Sequence, residues 1–298
     1  MKERFFKPSA KNHVYVPSTK LQAAKDEAKL FPVGGQASSI LQGSTEHFQV
    51  SYDSNLGSDG ATIANAVLSV CERDYATLQG YFGGVTPPNL PFVVLLTADD
   101  TGASHDGCDA TTLYIGARSG GGNIDFIRSL VIAEEDEVFE AAVGLGWDCG
   151  ASNGEGLSRV LANDMYPGAE PADFMSASVW LNTEGRPDYV DTTDPTDTNY
   201  VSIGCSVLFL NWLRFQLNYS WSQIVQAGGP TLAETYTNLT GQTDGWDQFS
   251  ALMEANYPQG QTYDLGTDNP FPLPNSPNPP NPPNPPNPPN PPNPPAPC

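Results

Sequence analysis

Beyond residue 29 the chain contains no lysine. Its six lysines stand at positions 2, 7, 11, 20, 25 and 29, beside Arg4, and only six further arginines follow. Three acids, Glu3, Asp26 and Glu27, share the first 29 residues, so that segment carries +4 of the overall −21 and the rest carries −25. A body of that charge repels nucleic acid and anionic membrane. The basic leader reads as a solvated tail. Histidine is as scarce, with His13, His47 and His105 alone. There is no CxxC pair, hence no zinc ribbon and no dithiol redox motif. No run approaches 18 apolar residues, so no membrane span is expected. MKERFFKPSAKNHVYVPSTK at the start has basic residues but no apolar core, so it does not read as a signal peptide, and a soluble, cytoplasmic protein is favoured. GxSxG, P-loop and strand-linked GxGxxG patterns are absent. A Cys/His hydrolase lacks a histidine after residue 105. SGGGN (119–123) precedes an acidic helix that would repel phosphate, so it reads as a flexible loop.

What is present divides into three. Residues 1–44 are polar and weakly periodic, a poorly ordered leader with one short helix near 19–30. Residues 45–262 hold the globular domain. Residues 263–298 form a Pro/Asn-rich tail with six NPP triplets from Asn278 to Pro295. Proline forbids helix and sheet ladders, and a period of three matches polyproline II. These 18 residues extend on the order of 56 Å at ~3.1 Å each, which suits a semi-rigid spacer better than a groove ligand. Cys298 ends it. The four internal cysteines, Cys71, Cys108, Cys149 and Cys205, are spaced too widely for a disulfide scaffold. They are buried thiols, or one or two disulfides in an exported protein.

Within the domain, HFQVSYD (47–53) alternates as a strand. Residues 61–83 carry a helical stripe through Ile63, Val67, Val70, Tyr75, Leu78 and Phe82. LPFVVLLT (90–97) and DATTLYIGA (109–117) are buried strands. Helices follow at about 124–144 and 154–165, a loop-rich stretch covers 168–200, and further helices fill 204–258. The aromatic group Trp212, Phe215, Tyr219 and Trp221 belongs to the core. Strands first and helices later give an α+β fold, with a small N-terminal sheet and a mainly helical C-terminal half.

One stretch resists a simple core reading. In VIAEEDEVFEA (131–141) the apolar stripe Ile127, Leu130, Val131, Val138, Ala141 passes through position 134, a glutamate. Glu137, three residues on, shares that face, while Glu135 and Asp136 turn towards solvent. A buried carboxylate must pair, neutralise or bind a cation. Glu155 opens the next helix in SNGEGLSR and, with the two helices antiparallel, faces Glu134 and Glu137. Arg159, one turn after Glu155, is a natural partner for it.

This order of parts resembles the gluzincin branch of zinc metallopeptidases: a strand-and-helix layer, an edge strand, an active-site helix, a second helix with a glutamate, then a helical remainder. Their active-site helix carries HExxH, with two histidine ligands and a glutamate base. Here Ala133-Glu134-Glu135-Asp136-Glu137 aligns with it. The resemblance implies that Glu134 is the base, that Glu137 replaces the second histidine, that Glu155 is the third ligand and that Ala133 replaces the first. It also implies that substrate lies beside the edge strand 109–117. Glu137 with Glu155 is an oxygen-only set, suiting Mg, Ca or Mn rather than zinc. His105, in GASHDGCD, is expected to be exposed on a loop, although it is close enough to that strand to reach the cleft. The expected function is therefore a zincin-like domain with a degenerate metal site that binds a protein, peptide or glycan without catalysis. The alternatives are a hydrolase using Glu134 with an atypical divalent cation, and a structural surface protein.

Overall fold

The computed structural model describes residues 38–100 and 102–274. The leader helix and the NPP repeats fall outside these. Five strands, β1 (Ser39–Ser44), β2 (Phe48–Asp53), β3 (Phe92–Thr97), β4 (Ala103–His105) and β5 (Thr112–Gly116), make one sheet in the order β1-β2-β3-β5-β4. β2, β3 and β5 run parallel, and the two edge strands β1 and β4 are antiparallel to their neighbours. Alternation sets the buried face. Phe48, Val50, Phe92, Val94, Leu96, Leu113 and Ile115 are all buried, as period-two side chains on one side of a pleat must be.

Two helices, α1 (Gly57–Leu68) and α2 (Cys71–Tyr81), follow β2. The sequence predicts one helix across 61–83, but the chain breaks at Ser69 and Val70. Arg128 explains the break. Its guanidinium donates to the Ala66 carbonyl at 2.9 and 3.2 Å and to Ser69 Oγ at 3.3 Å, taking up groups at the end of α1 that a longer helix would use itself.

Helix α3 (Ile124–Val143) starts at Asn123, whose side chain accepts from the Asp125 N–H at 3.0 Å. It stops at Gly144, in the left-handed region with φ 64°, the normal helix stop. It packs on β4 and β5, on α1 and α2, and on α4 (Ser152–Met165). With neighbours on every side it is buried around its whole circumference from Ser129 to Glu140. The short α5 (Ala177–Leu181) lies in the otherwise irregular stretch before α6 (Tyr200–Asn211). A single π-helical turn, Trp212–Gln216, extends α6, and α7 (Trp221–Gln226), α8 (Leu232–Thr240) and α9 (Gly245–Asn256) complete the domain. The fold is α+β, with helices dominating the C-terminal half, as expected.

Three boundaries differ from the expectation. Strand β1 lies inside the 1–44 leader. Strand β5, the expected edge at 109–117, is interior, between β3 and β4. The folded region also runs past residue 262. Asp268 accepts from the backbone N–H groups of Ser176, at 2.9 and 3.1 Å, and Ala177, at 2.8 Å. Phe271 is buried, and Leu273 is clasped by Gln216, whose Oε1 accepts from its N–H at 2.6 Å and whose Nε2 donates to its carbonyl at 3.2 Å.

Helices α4 and α6 approach closely at Gly156, where an added Cβ would meet Ser206 Cβ at 2.6 Å. Gly156→Ala is expected to cost about 1–3 kcal/mol through overpacking, seen as a lower Tm. Adding Ser206→Gly recovers some of the loss, because the two sites share the contact; simple additivity would show that they do not.

Candidate functional site

Helix α3 brings Glu134, Glu135, Asp136, Glu137 and Glu140 into the interior, and α4 adds Glu155. Glu134 is 2%, Glu137 6% and Glu155 1% exposed. Glu135 and Asp136, expected to face water, are fully buried too. Helical periodicity implies one wet face, and a helix enclosed on all sides has none.

Two basic side chains stand among these acids. His105, at the end of β4, is 3% exposed rather than on an open loop. Its Nδ1 lies 2.7 Å from Glu134 Oε2 and 3.6 Å from Glu137 Oε2. Its Nε2 is buried with no hydrogen-bond partner among the described residues. Arg159 meets Glu155 as the sequence suggests. Its Nε donates to Oε1 at 2.7 Å, its Nη1 donates to the Phe174 carbonyl at 2.9 Å, and its guanidinium carbon sits 5.6 Å from the Tyr200 ring centre.

Burial dominates the electrostatics. It raises the Glu134 carboxyl, and the hydrogen bond from His105 only partly offsets this. Burial pushes Glu137 well up, and the charges of Glu134, Glu155, Glu140 and Asp136 push it further. Those four acids and Glu137 therefore share one electrostatic neighbourhood. Burial lifts Glu155 from the ordinary 4.5 to about 7, against the pull of Arg159. Glu135 is driven well up by burial and then by Asp74, Glu72 and Asp136. Asp136 and Glu140 are one turn apart. Burial raises both well above the ordinary carboxyl range, as it must for two carboxyls so close together in the interior.

The expected site residues thus converge, but not as an open zinc centre. Ala133 offers no donor atom. Glu134, in the base position, is bound to His105, and Glu155, in the third-ligand position, is bound to Arg159. A zinc ion at the usual gluzincin position does not fit these side chains. A cavity of about 490 Å³ opens elsewhere, lined by Arg73, Asp74, Tyr81, Asp125, Asp164 and Tyr166 among others, and it includes none of the buried acids of α3.

Sequence reasoning missed the other side of His105. Cys108 and Cys149, 41 residues apart, are joined in a disulfide with Cα atoms 5.7 Å apart. Cys71 and Cys205 stay as buried thiols. A ring nitrogen of His105, a Glu137 oxygen and Cys149 Sγ lie within 4.8 Å of one another, as do ligand atoms of Cys108, Asp148 and Cys149. The available signal was the spacing His105-x-x-Cys108 beside an edge strand. No family model, curated protein or solved structure matches the chain.

Two outcomes follow from the buried acids. Carboxyls raised on folding stabilise fully below their ordinary range, and this is lost as pH rises, for Glu155 through about 7; a displacement of that size is on the order of 3 kcal/mol. Tm is therefore expected to fall between pH 5 and pH 8 in high salt, where surface repulsion is screened, and Glu135→Gln should flatten the fall. A Tm that is level or rises towards pH 8 contradicts the assignment. Arg159→Leu strands Glu155 and is expected to cost about 3–5 kcal/mol at pH 8. The cost shrinks at pH 5, where Glu155 is protonated, and shrinks at both pH values when Glu155→Gln is added.

Proposed function

We propose that the domain is a zincin-like scaffold that no longer cleaves peptide bonds and acts as a binding module for an extended, cationic polypeptide. The observation that carries the non-catalytic reading is the state of Glu134. It is 2% exposed, with Oε2 2.7 Å from His105, so it can neither activate a water nor reach a substrate carbonyl. The order of sheet, acidic helix α3 and Glu155-bearing helix α4 supports the scaffold reading.

The partner class follows from charge and from the open sheet edge. Residues 30–298 carry −25, which draws cationic ligands and speeds their encounter. The expected cleft beside 109–117 is not an edge, and all three residues of β4 are buried. Among the described residues strand β1 is the exposed edge, with Ile40 42% and Leu41 60% exposed. Such an edge accepts an added strand through its backbone groups. A glycan has no strand to add, so a peptide or protein fits better.

The test has two arms on the full chain. Wild type and Glu134→Gln are incubated with a peptide library and Zn, Mn or Ca, and equal background cleavage is expected. Cleavage lost in Glu134→Gln would overturn the reading in favour of a hydrolase. Extended arginine-bearing peptides are then compared with their glutamate counterparts by fluorescence anisotropy. Binding of the first set alone, weakened by salt and lost in Leu41→Lys, is the expected result. Equal binding of both sets, or of neither, removes the cationic partner.

A further inference from the structure

The sulfur atoms that close the disulfide lie beside two buried groups of another kind. Cys149 Sγ belongs at once to the group it forms with His105 and Glu137 and to the group it forms with Cys108 and Asp148, each with ligand atoms within 4.8 Å. Three chain segments meet there. His105 ends β4, and Cys108 follows after a turn at Gly107, whose φ of 132° suits glycine. Glu137 comes from the middle of α3, while Asp148 and Cys149 come from the loop between α3 and α4.

In the disulfide neither sulfur is a thiolate, so neither is a metal ligand. We propose that reduction of Cys108–Cys149 creates a zinc site from Cys149, Cys108, His105 and Glu137, which shares Glu137 with the expected gluzincin position but uses neither Ala133 nor Glu155. The chemistry balances with a dithiol reductant. It delivers two electrons and two protons, the S–S bond breaks, Cys108 and Cys149 become thiols, and the reductant leaves as its own disulfide. Zinc binding then releases the thiol protons to solvent as the Zn–S bonds form.

Four features support the site. Two thiolates, an imidazole and a carboxylate form the sort of S/N/O set that tetrahedral zinc takes. Bonds of about 2.0–2.3 Å space tetrahedral ligand atoms by roughly 3.3–3.8 Å, so His105, Glu137 and Cys149, already within 4.8 Å of one another, need only a small contraction, and Cys108, which shares the second group with Cys149, joins them once the S–S bond is open. His105 is prepared as a ligand. Its Nδ1 is held by Glu134 at 2.7 Å, and its Nε2 is buried with no hydrogen-bond partner among the described residues. A carboxylate on one ring nitrogen fixes the other for a metal. Finally, a divalent cation beside Glu137 would offset the mutual repulsion of the buried acids around it.

The test uses the full chain, reduced with a phosphine that is then removed under nitrogen, and titrated with Co(II) and with Zn(II). One equivalent of Co(II) giving a thiolate-to-cobalt charge-transfer band in the near ultraviolet is expected, with displacement by zinc and none of it in the oxidised protein. Cys149→Ser and Cys108→Ser should each lose part of the band, the double variant should lose it entirely, and His105→Gln should weaken zinc binding by more than roughly tenfold. Circular dichroism identifies any variant that fails to fold, and the variants that do fold then carry the test. A band that survives in the double variant belongs to Cys71, Cys205 or Cys298 and overturns the proposal. Equal metal uptake by oxidised and reduced protein, or none by either, overturns it as well.

Discussion

The burial of α3 is the constraint on which the rest of the molecule depends. A helix with five acids within seven residues normally lies on a surface. Here it is the central element, enclosed by the sheet, by α1 and α2, and by α4. Each carboxyl brought inside must be neutralised or paired, since an isolated buried charge costs several kcal/mol. The chain meets that demand with one histidine, one arginine and retained protons. His105 reaches Glu134 because β4 ends beside α3. Arg159 reaches Glu155 because both lie on α4, one turn apart. Burial pushes the acids without such a partner towards their neutral forms. The first pair ties β4 to α3, while Arg159 ties α4 to the Phe174 carbonyl beyond its own helix.

Much of this architecture is legible in the residues. The strands alternate or run apolar, the helices stop at Gly144, Gly241 and before Pro167, and the pairing of Glu155 with Arg159 follows from their spacing. The solvent-facing assignment of Glu135 and Asp136 failed for a definite reason. Periodicity reports which face is buried only when another face is wet, and the number of neighbours around a helix is a tertiary property. The break at Ser69 and Val70 was hidden similarly, because Arg128, which takes up the Ala66 carbonyl, is 62 residues away in sequence. The edge was misassigned since β4 is only three residues long, too short for any alternation to register. The convergence of Glu134, Glu137 and Glu155 was readable from helix geometry. The commitment of Glu134 to His105 was not, because it depends on where that short strand lies.

The disulfide and the acidic centre belong together. Cys149 sits between the surface turn bearing Cys108 and the interior bearing Glu137 and His105. One bond therefore pins two loops beside the buried acids of α3. Oxidising surroundings keep such a bond and the cytoplasm opens it, so the compartment sets which arrangement of this corner prevails.

The clasp between Gln216 and Leu273 has a mechanical meaning. At Leu273 the backbone is held by two bonds to a side chain on the π-helical turn, with Asp268 tied to Ser176 and Ala177 a few residues before. Tension applied beyond Pro274 would load Gln216 first, then the buried Phe271, then Asp268 and the start of α5. These attachments would give way in series, each shielding the next. The acidic helix and the sheet lie behind the last of them, so the core would feel a pull only after the whole strap had peeled away.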